Sequence, residues 1–117
     1  MSERIRELLE SVKQDSDNLE LIRELDELLR DAEEWADLLD LYSFLGQQAT
    51  ESFERASYYR QAAQISEEKL NDPLNAIELL SSALEGDPDT ILQTLGDMRR
   101  LLIAIEDWEN YLEVAQN

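Results

Sequence analysis

The chain has no cysteine and no histidine. The first absence excludes disulfides and thiol nucleophiles. The second excludes imidazole acid–base catalysis, and together they remove the usual ligands of zinc, haem and iron–sulfur sites. No cofactor is expected. Glycine occurs three times and proline twice, too few breakers for a β-sandwich that turns about every ten residues. Positive charge is also scarce, with 10 Lys and Arg against 28 Asp and Glu and a net charge of −18. Such a surface repels phosphate backbones and anionic membranes, so neither nucleic acid nor membrane is an expected partner. No apolar run approaches the roughly 18 residues a membrane span needs. Residues 1–10 lack the basic and apolar blocks of a signal peptide, and the expected location is the cytoplasm.

What is present is helical periodicity. The 117 residues fit one domain, and an apolar share of 43% is too high for a disordered chain. Ile5, Leu8, Leu9 and Val12 follow the i, i+3, i+4, i+7 spacing of one helix face, as do Trp35, Leu38, Leu39 and Tyr42. Start and stop signals divide the chain into about seven helices, over 3–14, 18–30, 34–48, 53–70, 73–85, 89–104 and 107–116. Asp17 with Glu20, and Asp31 with Glu34, have capping-box spacing. Asn71-Asp72-Pro73 puts an acceptor at a helix N-cap and proline in the first turn, and Asp87-Pro88 does the same after Gly86. The 53–70 helix is apolar on two sides, through Phe53, Ala56, Tyr59 and Ala63 on one and Tyr58, Ala62 and Ile65 on the other. Such a helix packs between two neighbours, as a stacked array requires.

The chain repeats itself at an offset of 72 to 73 residues. Ile5, Leu8 and Val12 pair with Ile77, Leu80 and Leu84. Leu19, Ile22, Leu25, Leu28 and Leu29 pair with Leu92, Leu95, Met98, Leu101 and Leu102, and Trp35 with Trp108. Two helical hairpins fill such a period, the mark of a solenoid. Ala76, Leu80, Ala83 and Pro88 have the spacing of small, bulky, small residues and closing proline found in the second helix of tetratricopeptide repeats, and Leu92, Leu95 and Gly96 resemble the first-helix motif. The chain therefore resembles the tetratricopeptide family or its half-a-tetratricopeptide relatives in degenerate form. Tryptophan replaces the small residue at 35 and 108, and Arg99 stands where tyrosine is usual. The resemblance implies an all-α, right-handed solenoid of antiparallel pairs in a single domain 1–117: an orphan helix 3–14, then pairs over about 18–48, 53–85 and 89–116. Since 107–116 still reads apolar, either the array continues beyond this piece or its end is covered by a partner or a second copy.

Nothing in the sequence has the pattern of a catalytic site. Serines lack a histidine partner, and no glycine-rich phosphate loop is present. Asp15-Ser16-Asp17-Asn18 opens like a calcium loop, but Glu20 stands where that loop needs glycine, which leaves a capped turn and no metal. Work by contact is the remaining class. The resemblance implies a concave groove lined by first helices, placing Glu20, Glu24 and Glu27 on the first, Tyr58, Gln61, Ile65 and Glu68 on the second, and Gln93, Asp97 and Arg100 on the third. The Lys and Asn clamp of the family's chaperone-tail binders is replaced here by Glu and Gln. The leading expectation is thus a non-catalytic adaptor that binds a peptide or helix of another protein, one with a basic or amphipathic segment. One alternative is a structural domain self-associating through Tyr111, Leu112 and Val114. A weaker alternative is an acidic mimic of nucleic acid, for which the repeat pattern offers no support.

Overall fold

The computed structural model describes residues 3–85 and 88–116, with side chains described for 3–85 and 88–106. It is all-helical among the described residues. The helices are α1 (Glu3–Gln14), α2 (Leu19–Asp31), α3 (Trp35–Gln48), α4 (Ser52–Glu68), α5 (Pro73–Ser82) and α6 (Pro88–Gln116). The main helix contacts join each helix to the next in chain order. The principal extents are 53 × 35 × 16 Å and the radius of gyration is 16.2 Å, against about 13 Å for a compact chain of this length. The molecule is an elongated slab.

Six helices stand where seven were expected, because 89–104 and 107–116 form one continuous helix. The physical reason is local. Residues 101–106 contain no glycine or proline and are rich in Leu, Ala and Glu, which favour helix continuation. An aspartate at 107 is a start signal without a preceding stop.

The caps explain the other boundaries. Asn18, not Asp17, is the N-cap of α2, and its side-chain oxygen accepts from the Leu21 N–H. Asp31 does not cap α3. It is the last residue of α2, and Glu34 takes the N-cap position without a side-chain hydrogen bond. The reversal between α2 and α3 is made by Glu33, with φ of 57°, and the Glu34 N–H donating to the Leu29 carbonyl. At α5, Asp72 accepts from the Asn75 N–H and Pro73 sits in the first turn, as the sequence predicts. The buried Ser66 hydroxyl of α4 donates to the Asp72 carbonyl and accepts from the Asn75 side chain, tying α4 to the start of α5. The expected turn at Gly86 and Asp87 lies outside the described residues.

Two clusters of buried side chains divide the slab. The first joins Ile5, Leu8 and Val12 of α1, Ile22, Leu25 and Leu29 of α2, Leu38, Leu41, Tyr42 and Leu45 of α3, and Ala62 and Ile65 of α4. The second is small: Ala63 of α4, Ala76 and Leu80 of α5, and Leu101 of α6. Helix α4 faces both, which is the two-sided packing its sequence predicts. Its Tyr59 ring approaches α3 where Gly46 leaves room: a Cβ there would lie 2.8 Å from Tyr59 Cε2.

Candidate functional site

Helices α4 and α6 flank an open groove with α5 packed against both. The groove has a volume of about 640 Å³. Its α4 wall is the stripe Phe53, Ser57, Arg60, Gln61, Gln64, Glu67 and Glu68; Leu80 of α5 lies at its floor, and Thr90, Asp97 and Arg100 form the α6 wall. The spacing on α4 is that of one helix face. That face carries polar groups because the opposite faces, through Ala56, Ala62, Ala63 and Ile65, are buried against α3 and α5.

The walls are bridged by charge. Arg60 donates to Thr94 Oγ1 at 2.5 Å and to Asp97 Oδ2 at 3.0 Å. The buried Thr94 hydroxyl in turn donates to the Thr90 carbonyl at 3.0 Å, so it is satisfied on both sides. Arg100 donates to both carboxylate oxygens of Glu67, at 2.6 and 3.1 Å. Such forked pairs fix geometry as well as charge. Its hydrogen bond to Glu67 raises the Arg100 pKa above its ordinary value, so the guanidinium holds its proton more tightly. Among the described residues, Glu68 accepts a hydrogen bond from the neutral Gln64 side chain, at 3.3 Å. Three carboxylates therefore meet two guanidiniums, and the balance of the groove is negative.

The sequence-predicted positions divide in two. Gln61, Glu68, Asp97 and Arg100 come together in this groove. Ile65 does not, since it is 3% exposed and closes the first core. Tyr58 lies partly buried at the other side of α4, where its ring stacks on Tyr42 with centroids 6.1 Å apart. It borders a separate cavity of about 240 Å³ with Asp17, Leu45 and Glu54. Burial, followed by the charges of Glu54 and Asp17, raises its pKa. Gln93 is exposed on α6 without lining the groove. Glu20, Glu24 and Glu27 are exposed on α2, and Glu24 accepts from Arg4 of α1 at 2.9 Å. Tyr111, Leu112 and Val114 lie outside the residues whose side chains are described.

Sequence reasoning missed Phe53, Arg60, Thr94 and Glu67. Phe53 was grouped with the buried stripe of α4, yet it is 62% exposed at the groove. The signal that finds the three on α4 is the spacing 53, 57, 60, 64, 67, a polar stripe with one aromatic at its end. Asp26 accepts from the Tyr42 hydroxyl and from Arg30 Nε, locking α2 to α3. Trp35 is half-buried against the first core, with Lys69 Nζ 4.8 Å from its ring centroid. Trp108, its repeat counterpart, lies outside the described side chains.

Among the described residues, no cluster of three or more acidic side chains is arranged to hold a metal ion, and no helix is long and apolar enough to cross a membrane. Comparison of the chain with protein-family models, curated proteins and solved structures found no match.

Proposed function

We propose that this chain is a non-catalytic binding module with tetratricopeptide-like stacking, and that the groove between α4 and α6 takes a segment of a partner protein. The segment carries an apolar anchor for Phe53 and a Lys or Arg for Glu68. The observation that carries the reading is the groove itself. It is an open trough between two helices, backed by a third, with an exposed aromatic at one end and an excess carboxylate along one wall. Burial of Ala76, Leu80 and Ala83, with Pro88 opening α6, supports the stacking reading, because those are the places the family motif gives these residue types. Helix-in-groove and extended-peptide recognition both use a few apolar anchors plus charge complementarity.

The test is selection of peptides from a random library on the full chain, followed by affinity measurement on variants. Selected peptides should pair an apolar residue with Lys or Arg. Phe53→Ser and Glu68→Lys should each weaken binding by about tenfold or more. Glu20→Lys makes the same charge change away from the groove and should have little effect. Equal losses from Glu20→Lys and Glu68→Lys would reduce the interaction to net charge and refute the groove.

A further inference from the structure

The cavity beside Tyr58 has carboxylates and no cation of its own. It lies where the α1–α2 turn meets the junction of α3 and α4, and its volume is about 240 Å³. One part of its wall is apolar: Leu45 is buried, Ala49 and the Tyr58 ring are partly buried, and Leu19 is exposed at the rim. Asp17 and Glu54 supply the charge. Glu54 stands in the first turn of α4, where the helix dipole favours a carboxylate, and Tyr58 follows one turn later on the same face.

The surroundings leave both carboxylates without a counter-charge. In the α1–α2 turn the Asn18 side chain donates to Asp15 and caps α2, so Asp17 is the acidic group left over. Residues 31–54 contain no Lys or Arg. Lys13 pairs with Glu10, and Arg55 donates to Glu85 and to the Thr50 carbonyl. Among the described residues, neither Asp17 nor Glu54 forms an ion pair, and the Tyr58 hydroxyl makes no hydrogen bond. The charges of Glu54 and Asp17 both reach that phenol and add to the effect of burial on its pKa. The other two cavities differ. Arg60 and Arg100 answer the carboxylates of the α4–α6 groove, and Arg30 and Lys69 accompany Glu68 in the small cavity beside Ile65.

Size narrows the ligand. A cavity of about 150 Å³ takes benzene, whereas drug-sized ligands need about 300 Å³ or more. The volume of about 240 Å³ lies between them and suits a short apolar stem with one charged head. Two carboxylates are too few for calcium, which takes about six to eight oxygen ligands.

We propose that this cavity binds an alkylammonium or alkylguanidinium group, the chemistry shared by a Lys or Arg side chain and a free polyamine. The stem lies on Leu45 and Ala49. The head sits between Asp17 and Glu54 beside Tyr58, whose ring attracts cations and whose hydroxyl accepts an N–H. The site is independent of the α4–α6 groove, which uses the stripe of α4 from Phe53 to Glu67.

The test is a ¹H–¹⁵N NMR titration of the full chain with n-butylammonium and n-butylguanidinium, with n-butanol as the uncharged control. Both cations should shift the amides of Asp17, Ala49 and Tyr58 in a saturable way, with a dissociation constant of about 1 mM, and butanol should leave them in place. Asp17→Asn and Glu54→Gln should each weaken n-butylammonium by about threefold or more. Both side chains are exposed, so these changes of charge at constant shape leave the chain folded. Glu78→Gln removes the same charge from the exposed side of α5 and should have no effect. N-acetyl-lysine methylamide and spermidine separate the sources: whichever binds tighter identifies a partner's side chain or a free polyamine. Equal shifts with butanol, equal losses from Glu78→Gln, or unsaturated shifts spread over the whole acidic surface would overturn the proposal.

Discussion

The two ends of the slab are held together by different physics. Around α1–α3 and the adjoining face of α4, the described core contains twelve buried side chains, most of them Leu, Ile or Val. Around α5 and α6 the core contains four, two of them alanine, and α6 is tied to α4 largely through Arg60 and Arg100. Apolar burial contributes in proportion to area, whereas exposed ion pairs contribute little. The first end is therefore the stable platform, and the second, where the groove opens, is the part that yields. Binding surfaces drawn from the less stable part of a fold adapt at lower cost.

The largest test of that contrast is a matched pair of truncations. Leu25→Ala removes a fully buried side chain from the first core and should cost about 2–5 kcal/mol in global unfolding. Leu101→Ala should cost less in denaturant titration and should be felt by α6 alone, as loss of protection there. A smaller effect is expected at the seam between α3 and α4. Gly46→Ala drives a methyl into the Tyr59 ring and should cost about 1–2 kcal/mol. Adding Tyr59→Ala should recover part of that loss, which a cost arising elsewhere would not do. At the weaker end, Arg60→Ala removes the bridge to Thr94 and Asp97 and should cost about 1 kcal/mol, read as faster exchange of α6 amides with α2 unchanged.

The smallest effect at neutral pH sharpens the comparison from the stable side. Burial and Asp26 raise the Tyr42 pKa above its ordinary value of 10.0. Below pH 10 the phenol is protonated in folded and unfolded chains alike, so its full contribution is present. Above it the unfolded chain releases the proton first, and stability falls as pH rises. Tyr42→Phe should flatten most of that alkaline slope in pH-dependent unfolding, with Tyr58, raised in the same direction, keeping the rest.

Legibility in the sequence followed the same division. Helix α1 and the Asp72-Pro73 start of α5 matched expectation, because local spacing and cap chemistry decide them. The two-sided character of α4 was legible for the same reason. The break near residue 106 was not there to find, since a start signal alone does not stop a helix built of good formers. Phe53 was misplaced because its stripe continues the apolar spacing of Ala56 and Ala63, and only the position of α6 decides which part of that stripe stays open. Four of the ten expected groove residues met in one place, on the two helices that flank α5. The α2 carboxylates and Ile65 did not, because the first core is packed too fully to leave a trough. The close approach of Tyr59 to Gly46 depends on two helices meeting and leaves no mark in either one.

The most direct measurement is native-state hydrogen exchange, resolved by residue, at a concentration where sedimentation shows only monomer. The expected result is that α6 amides open at free energies at least ~2 kcal/mol below those of α2 and α3, and that Arg60→Ala widens the gap. A single opening free energy shared by all six helices would contradict the division of the molecule into a packed platform and a yielding groove.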